Sequence, residues 1–565
     1  MDTAVLSAGD ATAHPGSAPV APSVTDPLWW RSAVIYQIYI RSFADGNGDG
    51  TGDLAGVRSR LGYLRDLGVD AIWFTPWYKS PLADGGYDVE DYFGIDPAFG
   101  DLEQAEALIR EALALGIRTI IDIVPNHISD QHPWFKAALA SPPGSPERAR
   151  FWFRPGRGAN GNEMPNHWVS NFQGDTWTRT TNPDGTPGEW YLHLFTPEQP
   201  DLNWNHPDVR KLHEDVLRFW FDRGVAGVRI DSAALLIKDP ELPEIPDRVE
   251  PGKHPNVDRD EVHEVYRSWR AIADSYPGSR VLVGEVWMPD TTRFAKYLRA
   301  DEMHTAFNFD FMARPWDATQ LRESIDSMLA AHAPVGAPST WVLSNHDVTR
   351  PVTRYGRKDT SFAFATKRFH TPTNLALGLR RARAAALLSA ALPGSLYVYQ
   401  GDELGLPEVE DIPLDRLQDP MYFRSEGVDP GRDGCRVPLP WSGSQPPYGF
   451  EPAGSVHETW LPQPVDWAPF TVQAEAGDTG SMLSLYRTAL SIRRSHPALG
   501  DGTLTWIESL PGVLAFSRGL GFVSVTNLSG TAVELPSYTR LLLTSEPLAG
   551  GLLPTDSTAW LRTQH

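Results

Sequence analysis

The chain has 565 residues, which exceeds one ordinary domain, and 41% of them are hydrophobic, enough for a large core. Its 71 acidic and 50 basic residues leave a formal charge of −21, which argues against nucleic acid or an anionic membrane surface and suits a small neutral partner. The single cysteine, Cys435, excludes an internal disulfide, and no run of about 18 apolar residues predicts a membrane span.

The first 25 residues are rich in Ala, Pro, Ser and Gly and contain neither Lys nor Arg nor a continuous apolar run. These features are untypical of a signal or transit peptide and predict a disordered tail over residues 1–25. Since the lone cysteine gives no support to secretion either, we expect a cytoplasmic protein.

The first predicted strand leads into an acidic loop, DGNGDGTGDL (45–54), and a helix with one apolar stripe follows over 54–68. The loop resembles an EF-hand, but its twelfth position is Gly56 where an EF-hand requires Glu, which excludes a calcium sensor. A plain Gly/Asp turn without an ion is the alternative. We expect instead a structural Ca²⁺ or Mg²⁺, and no organic cofactor. The predicted ligands are Asp45, Asn47, Asp49, Thr51 and Asp53.

Strands and helices then alternate along the chain, which is typical of a parallel sheet with helices on its outer face. Eight strands in this order predict an α/β protein with a closed (β/α)₈ TIM barrel. The eight segments are VIYQIYI (34–40), AIWFTP (71–76), RTIIDIVPNH (118–127), GVRID (227–231), VLVGEVW (281–287), TAFNFDF (305–311), TWVLSNHD (340–347) and LYVYQGDEL (396–404).

Two regions do not follow this alternation. Residues 128–205 are rich in Trp, Pro, Asn and Gly and predict an insertion domain after the third strand, so the barrel comprises residues 26–127 and 206–500. After a last helix, SMLSLYRTALSIRRSHPALG, the short β-prone runs LTWIES, VLAFSR, FVSVTNL and RLLLTS predict a C-terminal antiparallel β domain over 501–565.

Polar side chains follow four of the predicted strands at the point where each strand ends. The active sites of (β/α)₈ barrels lie at the carboxyl ends of the strands, so these side chains are expected to meet in one cleft. Any one of them could instead be a helix cap or a surface charge, but all of them occur at strand ends. The residues are Asn126, His127, Arg229, Asp231, Glu285, His346 and Asp347.

The same segments resemble the hallmark motifs of the α-amylase family of glycoside hydrolases. The matching segments are DIVPNH (122–127), GVRID (227–231), GEVW (284–287) and LSNHD (343–347). A fifth, QPDLN (199–203), is similar to the form found in the oligo-1,6-glucosidase and α-glucosidase branch. The resemblance covers roughly residues 29 to 550 and includes the acidic loop, which falls at the position of a Ca²⁺/Mg²⁺ loop in this branch.

The resemblance implies a retaining mechanism with three carboxylates. Asp231 would be the nucleophile, Glu285 the general acid/base and Asp347 the carboxylate that stabilises the transition state. Arg229 stands two residues before Asp231 and is expected to hold it ionised at neutral pH. Burial and the neighbouring carboxylates are expected to raise the pKa of Glu285, as an acid working near neutrality requires.

The resemblance also assigns residues that bind the sugar. His127 and His346 would hydrogen-bond its hydroxyls, and Tyr87 would stack on the ring in the first subsite. Asp84 would hold the 4-hydroxyl and pair with Arg432, which would close the cleft beyond the first glucose. Phe172 either lines this pocket or is an ordinary core aromatic of the insertion.

These features imply an exo-acting retaining α-glucosidase that releases glucose from short, neutral α-glucosides, with some transglucosylation. Ala234 and Leu235 stand where endo-amylases often have Lys-His, which argues against long chains, and the small Ser232 after the nucleophile favours α-1,4 linkages. The alternatives are an oligo-1,6-glucosidase, a transglucosidase or isomerase such as trehalose synthase or a sucrose-active enzyme, and a non-catalytic binding relative. The sequence leaves open whether the protein is a monomer or a homodimer.

Overall fold

The computed structural model describes residues 26–182, 184–364 and 367–564. The tail predicted over residues 1–25 lies outside the described residues. The strands are β1 (Val34–Ile38), β2 (Ala71–Phe74), β3 (Arg118–Ile123), β4 (Phe153–Arg154), β5 (Trp177–Thr181), β6 (Pro187–Leu192), β7 (Gly227–Ile230), β8 (Val281–Gly284), β9 (Thr305–Ala306), β10 (Thr340–Trp341), β11 (Ser395–Tyr399), β12 (Thr505–Trp506), β13 (Val513–Gly519), β14 (Phe522–Asn527), β15 (Arg540–Thr544) and β16 (Ser557–Arg562).

The α-helices connect these strands and cover the outside of the central sheet. They are α1 (Leu54–Ser59), α2 (Leu61–Leu67), α3 (Leu102–Ala114), α4 (Pro133–Ala140), α5 (Pro146–Ala149), α6 (Pro207–Asp222), α7 (Val262–Asp274), α8 (Thr291–Lys296), α9 (Phe309–Ala313), α10 (Ala318–His332), α11 (Pro351–Tyr355), α12 (Leu375–Ala391), α13 (Pro420–Arg424), α14 (Val472–Ala476) and α15 (Met482–Ser495). Among the described residues, no helix is both long and apolar enough to cross a membrane.

The central sheet is the predicted (β/α)₈ barrel. Its eight strands follow the order β10-β11-β1-β2-β3-β7-β8-β9, and every strand pair within it is parallel. The two end strands meet through a hydrogen bond between the hydroxyls of Thr305 and Thr340. The barrel strands are buried throughout, as both faces of a parallel sheet require.

Three predicted elements differ from those observed. The segment 340–347 forms a strand only at Thr340–Trp341. The segment 305–311 forms a strand only at Thr305–Ala306, because the side chain of Asn308 accepts a hydrogen bond from the N–H of Phe311 and starts α9. The single helix predicted over 54–68 is divided at Arg60 into α1 and α2. The cap at Asn308 explains the early end of β9, whereas the break at Arg60 has no side-chain cap.

The insertion after β3 contains the three-stranded antiparallel sheet β4-β6-β5. Its small core is built mainly from Trp152, Trp168, Trp177, Leu192 and Leu194. The tryptophan-rich composition of this region therefore reflects a second core, which holds the insertion over the end of the barrel that bears the polar residues.

The C-terminal domain is a five-stranded antiparallel sheet of order β12-β13-β14-β16-β15. Four of these strands match the four β-prone runs of the sequence, whereas β16 was not predicted. This strand lies against α12 of the barrel, where the hydroxyl of Thr558 donates to the carbonyl of Ala384 at 2.9 Å. The indole of Trp560 likewise donates to the carbonyl of Leu387 at 3.2 Å.

Candidate active site

The polar residues predicted at the strand ends meet at the carboxyl end of the barrel. They line a cavity of about 430 Å³ together with residues of the insertion and of later loops. Its polar lining residues include Asp84, Tyr87, His127, Asp231, Glu285, His346, Asp347 and Arg432. All of these residues are buried except Asp347, which is partly buried, so their charges interact in a low-dielectric environment.

Arg229 on β7 connects three of the carboxylates. Its Nη1 lies 2.7 Å from Asp122 and 2.8 Å from Asp231, and its Nη2 lies 2.7 Å from Glu285. Asp122 and Arg229 are partners in the register between β3 and β7, so the barrel sheet itself aligns this ion pair. One buried guanidinium thus holds Asp231 and Glu285 side by side at the floor of the cavity.

Ser232 adds a backbone donor to this arrangement. Its φ of 47° lies in the left-handed region, which residues other than glycine rarely adopt. In this conformation its N–H donates to Oε2 of Glu285 at 2.9 Å. The indole of Trp287 donates to the other oxygen, Oε1, at 3.1 Å. Backbone strain beside the predicted nucleophile therefore serves to orient the predicted acid.

Burial dominates the protonation of these carboxyl groups. It raises the pKa of Glu285 to about 7, against the pull of Arg229 and with the support of the charges on Asp231 and Asp347. This agrees with the direction expected from sequence. Burial also raises the pKa of Asp231, although Arg229 and the hydroxyl of Ser232 favour its ionised form. Arg229 acts in the direction expected from the sequence, but burial outweighs it.

Asp347 lies in the most positive part of the cavity. Its Oδ1 is 3.0 Å from both Arg432 and Arg436. Although burial opposes ionisation, these charges hold the pKa of Asp347 below its ordinary value. The ionised form of Asp347 is thus favoured at neutral pH.

Arg432 closes one end of the cavity. Its Nη2 lies 2.7 Å from Asp84, and its Nε lies 2.7 Å from Asp419. The structure therefore places Asp84 against Arg432, as the resemblance implied. The guanidinium also lies 4.7 Å from the ring centre of Phe172, which faces the cavity from the insertion.

A chain of hydrogen bonds holds Tyr87 and His346 in the cavity wall. The amide nitrogen of Gln37 lies 2.7 Å from Nδ1 of His346, and Nε2 of His346 lies 2.8 Å from the hydroxyl of Tyr87. The Tyr87 hydroxyl then donates to Asp122 at 2.9 Å. The two rings are parallel within 4°, with their centres 5.4 Å apart. Burial raises the pKa of Asp122 to about 8, although Arg229 favours its ionised form.

His127 joins the barrel to the insertion. Its Nδ1 lies 3.1 Å from the amide of Asn126, whose oxygen accepts a hydrogen bond from Lys238 at 2.5 Å. Lys238 also contacts Asp201 of the insertion at 2.6 Å, with both side chains fully buried. Burial lowers the pKa of His127 to about 4, so the ring is neutral at pH 7.

Several residues of the site were not identified from sequence. Asp122 stands in the quoted segment DIVPNH, and a carboxylate inside an otherwise apolar buried strand is a signal that could have identified it. Gln199, Asp419, Arg436 and Lys238 lie in loops, where only the tertiary fold brings them to the cavity.

The acidic loop after β1 forms hydrogen bonds within itself. The carboxylate of Asp45 accepts from the N–H groups of Asn47, Gly48 and Gly50, and Asp53 caps α1 by accepting from Gly56. Gly50 has a φ of 89°, and a side chain there would meet the carbonyl of Glu458. Among the described residues, no group of three or more His, Cys, Asp or Glu side chains is arranged to hold a metal ion.

Comparison with known proteins agrees with this geometry. Residues 37–502 match the family model of the alpha amylase catalytic domain. The chain is 36% identical to a probable alpha-glucosidase of Rhizobium meliloti (strain 1021), over 93% of both chains. It is 33% identical to an oligo-1,6-glucosidase of Parageobacillus thermoglucosidasius, over 89% of this chain and 91% of that one.

A solved structure with the same fold is the trehalulose synthase MutB of Pseudomonas mesoacidophila MX-45. It superposes with a TM-score of 0.81 at 29% identity, over 97% of this chain and all of that one. Eight parallel strands, a carboxylate cluster on one guanidinium and relatives matched over most of the chain lead to one conclusion. The chain belongs to the alpha-amylase family of glycoside hydrolases.

Proposed function

We propose that this enzyme is an exo-acting, retaining α-glucosidase that releases glucose from the non-reducing end of short α-glucosides. The observation that carries the proposal is the pairing of Asp231 and Glu285 on the two terminal nitrogens of Arg229, inside a cavity closed by Arg432. Retaining glycosidases require two carboxyl groups about 5–5.5 Å apart, one to attack and one to protonate. A guanidinium that contacts both carboxylates can hold them at such a short distance.

The two carboxyl groups take different roles because of their surroundings. Asp231 attacks C1 of the bound glucose, and the proton of Glu285 passes to the departing glycosidic oxygen as the C1–O bond breaks. The pKa of Glu285, raised by burial to about 7, keeps this proton available near neutrality. Glu285 then removes a proton from water, which releases glucose with its anomeric configuration retained. Asp347, ionised among two arginines, stabilises the positive charge that develops on the sugar.

The closed end of the cavity supports the exo-acting mode. Arg432 contacts Asp84, Asp347 and Asp419 at once, so opening this wall would separate three buried ion pairs. A sugar bound beside Asp84 is therefore terminal, with its remaining units on the side of Glu285. Tyr87, His127 and His346 line the same end and supply the groups that hold its hydroxyls and ring.

Product analysis tests the reaction. Maltose should yield mainly glucose, with the α-anomer formed first and a minor amount of transfer product, as followed by NMR. Accumulation of trehalose or longer oligosaccharides would instead favour the alternative of a transglucosidase or isomerase, for which the similarity to a trehalulose synthase is the supporting observation. The Asp231→Asn variant should lose about 10³-fold or more in turnover, while the exposed Val456→Ala variant serves as the control. Unchanged turnover would remove Asp231 from the mechanism.

We further propose a preference for α-1,4 over α-1,6 linkages, because Ser232 lines the cavity beside the nucleophile with a small side chain. Maltose should be cleaved faster than isomaltose, and Ser232→Val should shift the ratio of the two kcat/KM values toward isomaltose. Ser232→Thr is the matched control, since it retains the hydroxyl that bonds to Asp231. A native enzyme that cleaves isomaltose faster would refute this preference.

The acidic loop remains a proposed site for structural Ca²⁺ or Mg²⁺. Its donor chemistry fits a hard cation, because Asp45, Asp49 and Asp53 supply carboxylates and Asn47 and Thr51 supply neutral oxygens at alternate positions. Oδ1 of Asp45 accepts from two N–H groups, whereas Oδ2 accepts from that of Gly50 and retains a second lone pair for a cation. The ion would neutralise the loop and take no part in catalysis.

A further inference from the structure

The cavity has two chemically different halves. The half closed by Arg432 is charged and hydrogen-bonding, as described above. Apart from Ser232, the half around Glu285 is lined by apolar side chains: Ala234, Leu235, Val257, Trp287 and Phe364. Leu235, Val257, Trp287 and Phe364 are only partly buried in the protein, so their apolar surfaces face the cavity.

Contacts with Glu285 place these apolar residues on the side of the departing group. Trp287 donates its indole N–H to the carboxylate, and Phe364 packs edge-on against Trp287 at 4.7 Å between ring centres. Ala234 and Leu235 follow the turn at Ser232, whose N–H also donates to Glu285. Val257 joins them, because the N–H of the next residue, Asp258, donates to the carbonyl of Ala234 at 2.8 Å.

This half offers few groups to a polyhydroxylated sugar. The one polar hydrogen on these five side chains, the indole N–H of Trp287, is already donated to Glu285. Sugar hydroxyls placed against the exposed surfaces of Leu235, Val257, Trp287 and Phe364 would lose their hydrogen bonds to water. These surfaces would offer no hydrogen bonds in exchange. A phenyl or alkyl group has no such requirement and gains from burial and from edge contacts with the aromatic rings.

We propose that the aglycone half of this cavity is built for hydrophobic alcohols, so the enzyme transfers glucose to aryl-alkyl alcohols in preference to sugars. The inference rests on the proposed glucosyl-enzyme at Asp231. In the transfer step the alcohol oxygen forms a bond to C1 and the C1–O bond to Asp231 breaks. The hydroxyl proton passes to the Glu285 carboxylate, so no other reactant is required.

Partition of one intermediate between two acceptors tests the proposal. We would supply α-glucosyl fluoride as the donor, because fluoride leaves the aglycone half empty, and offer benzyl alcohol and methyl β-glucoside at equal concentration. Benzyl α-glucoside should exceed the disaccharide product by about tenfold. Equal or greater transfer to the sugar would overturn the inference. Fluoride release reports separately on the proposed function, since an enzyme that releases no fluoride forms no glucosyl intermediate.

Variants of the apolar half make the test specific. Leu235→Asn and Val257→Asn should each lower the ratio of benzyl glucoside to disaccharide several-fold toward unity, because an amide can serve sugar hydroxyls. The ratio is formed within one reaction and does not depend on the fraction of active enzyme, so partial misfolding leaves it interpretable. Val456→Asn, at a residue 88% exposed and outside the cavity lining, should leave the ratio unchanged. A ratio that stays high in both cavity variants would contradict the proposal.

Discussion

The chemistry of Glu285 depends on a balance between its burial and its hydrogen bonds. Three donors reach its carboxylate, from Arg229, the N–H of Ser232 and the indole of Trp287, and each of them favours the ionised form. Burial, together with the charges on Asp231 and Asp347, nevertheless raises its pKa to about 7. This pKa suits the acid/base role proposed for Glu285, because such a group is most effective when its pKa lies near the working pH.

The pH dependence of kcat/KM should show this balance. The reaction requires protonated Glu285 in the free enzyme, so kcat/KM should fall as the pH rises through about 7, the pKa of this group. Trp287→Phe removes a hydrogen-bond donor that favours the ionised form of Glu285. Its loss should raise the pKa of Glu285 and shift the alkaline limb of the profile to higher pH by about one unit. The measurement is kcat/KM for an aryl α-glucoside between pH 4 and 10.

A matched control exists in the C-terminal domain. Trp506 also donates its indole N–H to a carboxylate, that of Asp326, at 2.6 Å. Trp506→Phe should leave the pH profile unchanged. An alkaline limb that does not move in Trp287→Phe, or that moves equally in both variants, would mean that the limb does not report on Glu285.

At the scale of elements, the insertion is attached to the barrel by a buried ion pair beneath the sugar pocket. Lys238 follows β7 and Asp201 belongs to the insertion, and both side chains are fully buried. The same lysine orients Asn126, which contacts His127. Burial lowers the pKa of Lys238 and so disfavours its charged form. The contacts of its ammonium group with Asp201 and Asn126 offset this effect.

Removing Lys238 should therefore be costly. Lys238→Met leaves the charge of Asp201 buried without its partner, which should lower the free energy of unfolding by about 3–5 kcal/mol. Urea unfolding measures the loss, and the double variant Lys238→Met/Asp201→Asn should recover part of it. Lys211→Met, which removes an exposed pair with Asp215 on α6, should change stability little. A similar loss in both single variants would show that the buried pair has no special role.

The acidic loop between β1 and α1 yields a prediction of a different kind. Three carboxylates within nine residues repel one another, and a bound divalent cation would remove that repulsion. EDTA should therefore lower the thermal unfolding midpoint, Ca²⁺ or Mg²⁺ should restore it, and the pH–rate profile should stay the same. In Asp49→Ala, which removes an exposed carboxylate of the loop, the effect of EDTA should be smaller. An altered pH–rate profile with an unchanged midpoint would place the ion in catalysis.

At the scale of the whole molecule, three separate regions of the chain form one pocket. The barrel supplies Asp231, Glu285 and Asp347, the insertion supplies Phe172, and a late loop supplies Arg432, which closes the end. Under the proposed function, a pocket closed in this way would admit a chain end and exclude the middle of a polymer.

The closed pocket predicts the order of products from a linear oligosaccharide. Maltoheptaose should lose one glucose at a time from its non-reducing end, and a derivative blocked at that end should not be cleaved. Chromatography of early products provides the measurement, with the unblocked oligosaccharide as the control. Internal cleavage of the blocked chain would mean that the wall formed by Arg432 and Asp84 opens in solution.

The linear order of residues by itself predicted the barrel and the polar residues at its strand ends, and the resemblance of its motifs supplied the roles of the catalytic trio. Alternating strands and helices leave one topology in which each apolar strand is covered, and the strand ends then bring Asp231, Glu285 and Asp347 together. The sequence pattern did not predict β16 or the short strand at the start of 305–311. Packing against α12 accounts for β16, and the cap at Asn308 accounts for the early end of the strand. The tertiary structure was needed to show that Arg229 contacts three carboxylates. It was also needed to show that Lys238, Gln199 and Arg436 contact residues of the site. These contacts join residues far apart in the chain, and the protonation of a buried carboxyl group depends on every charge around it rather than on its sequence neighbours.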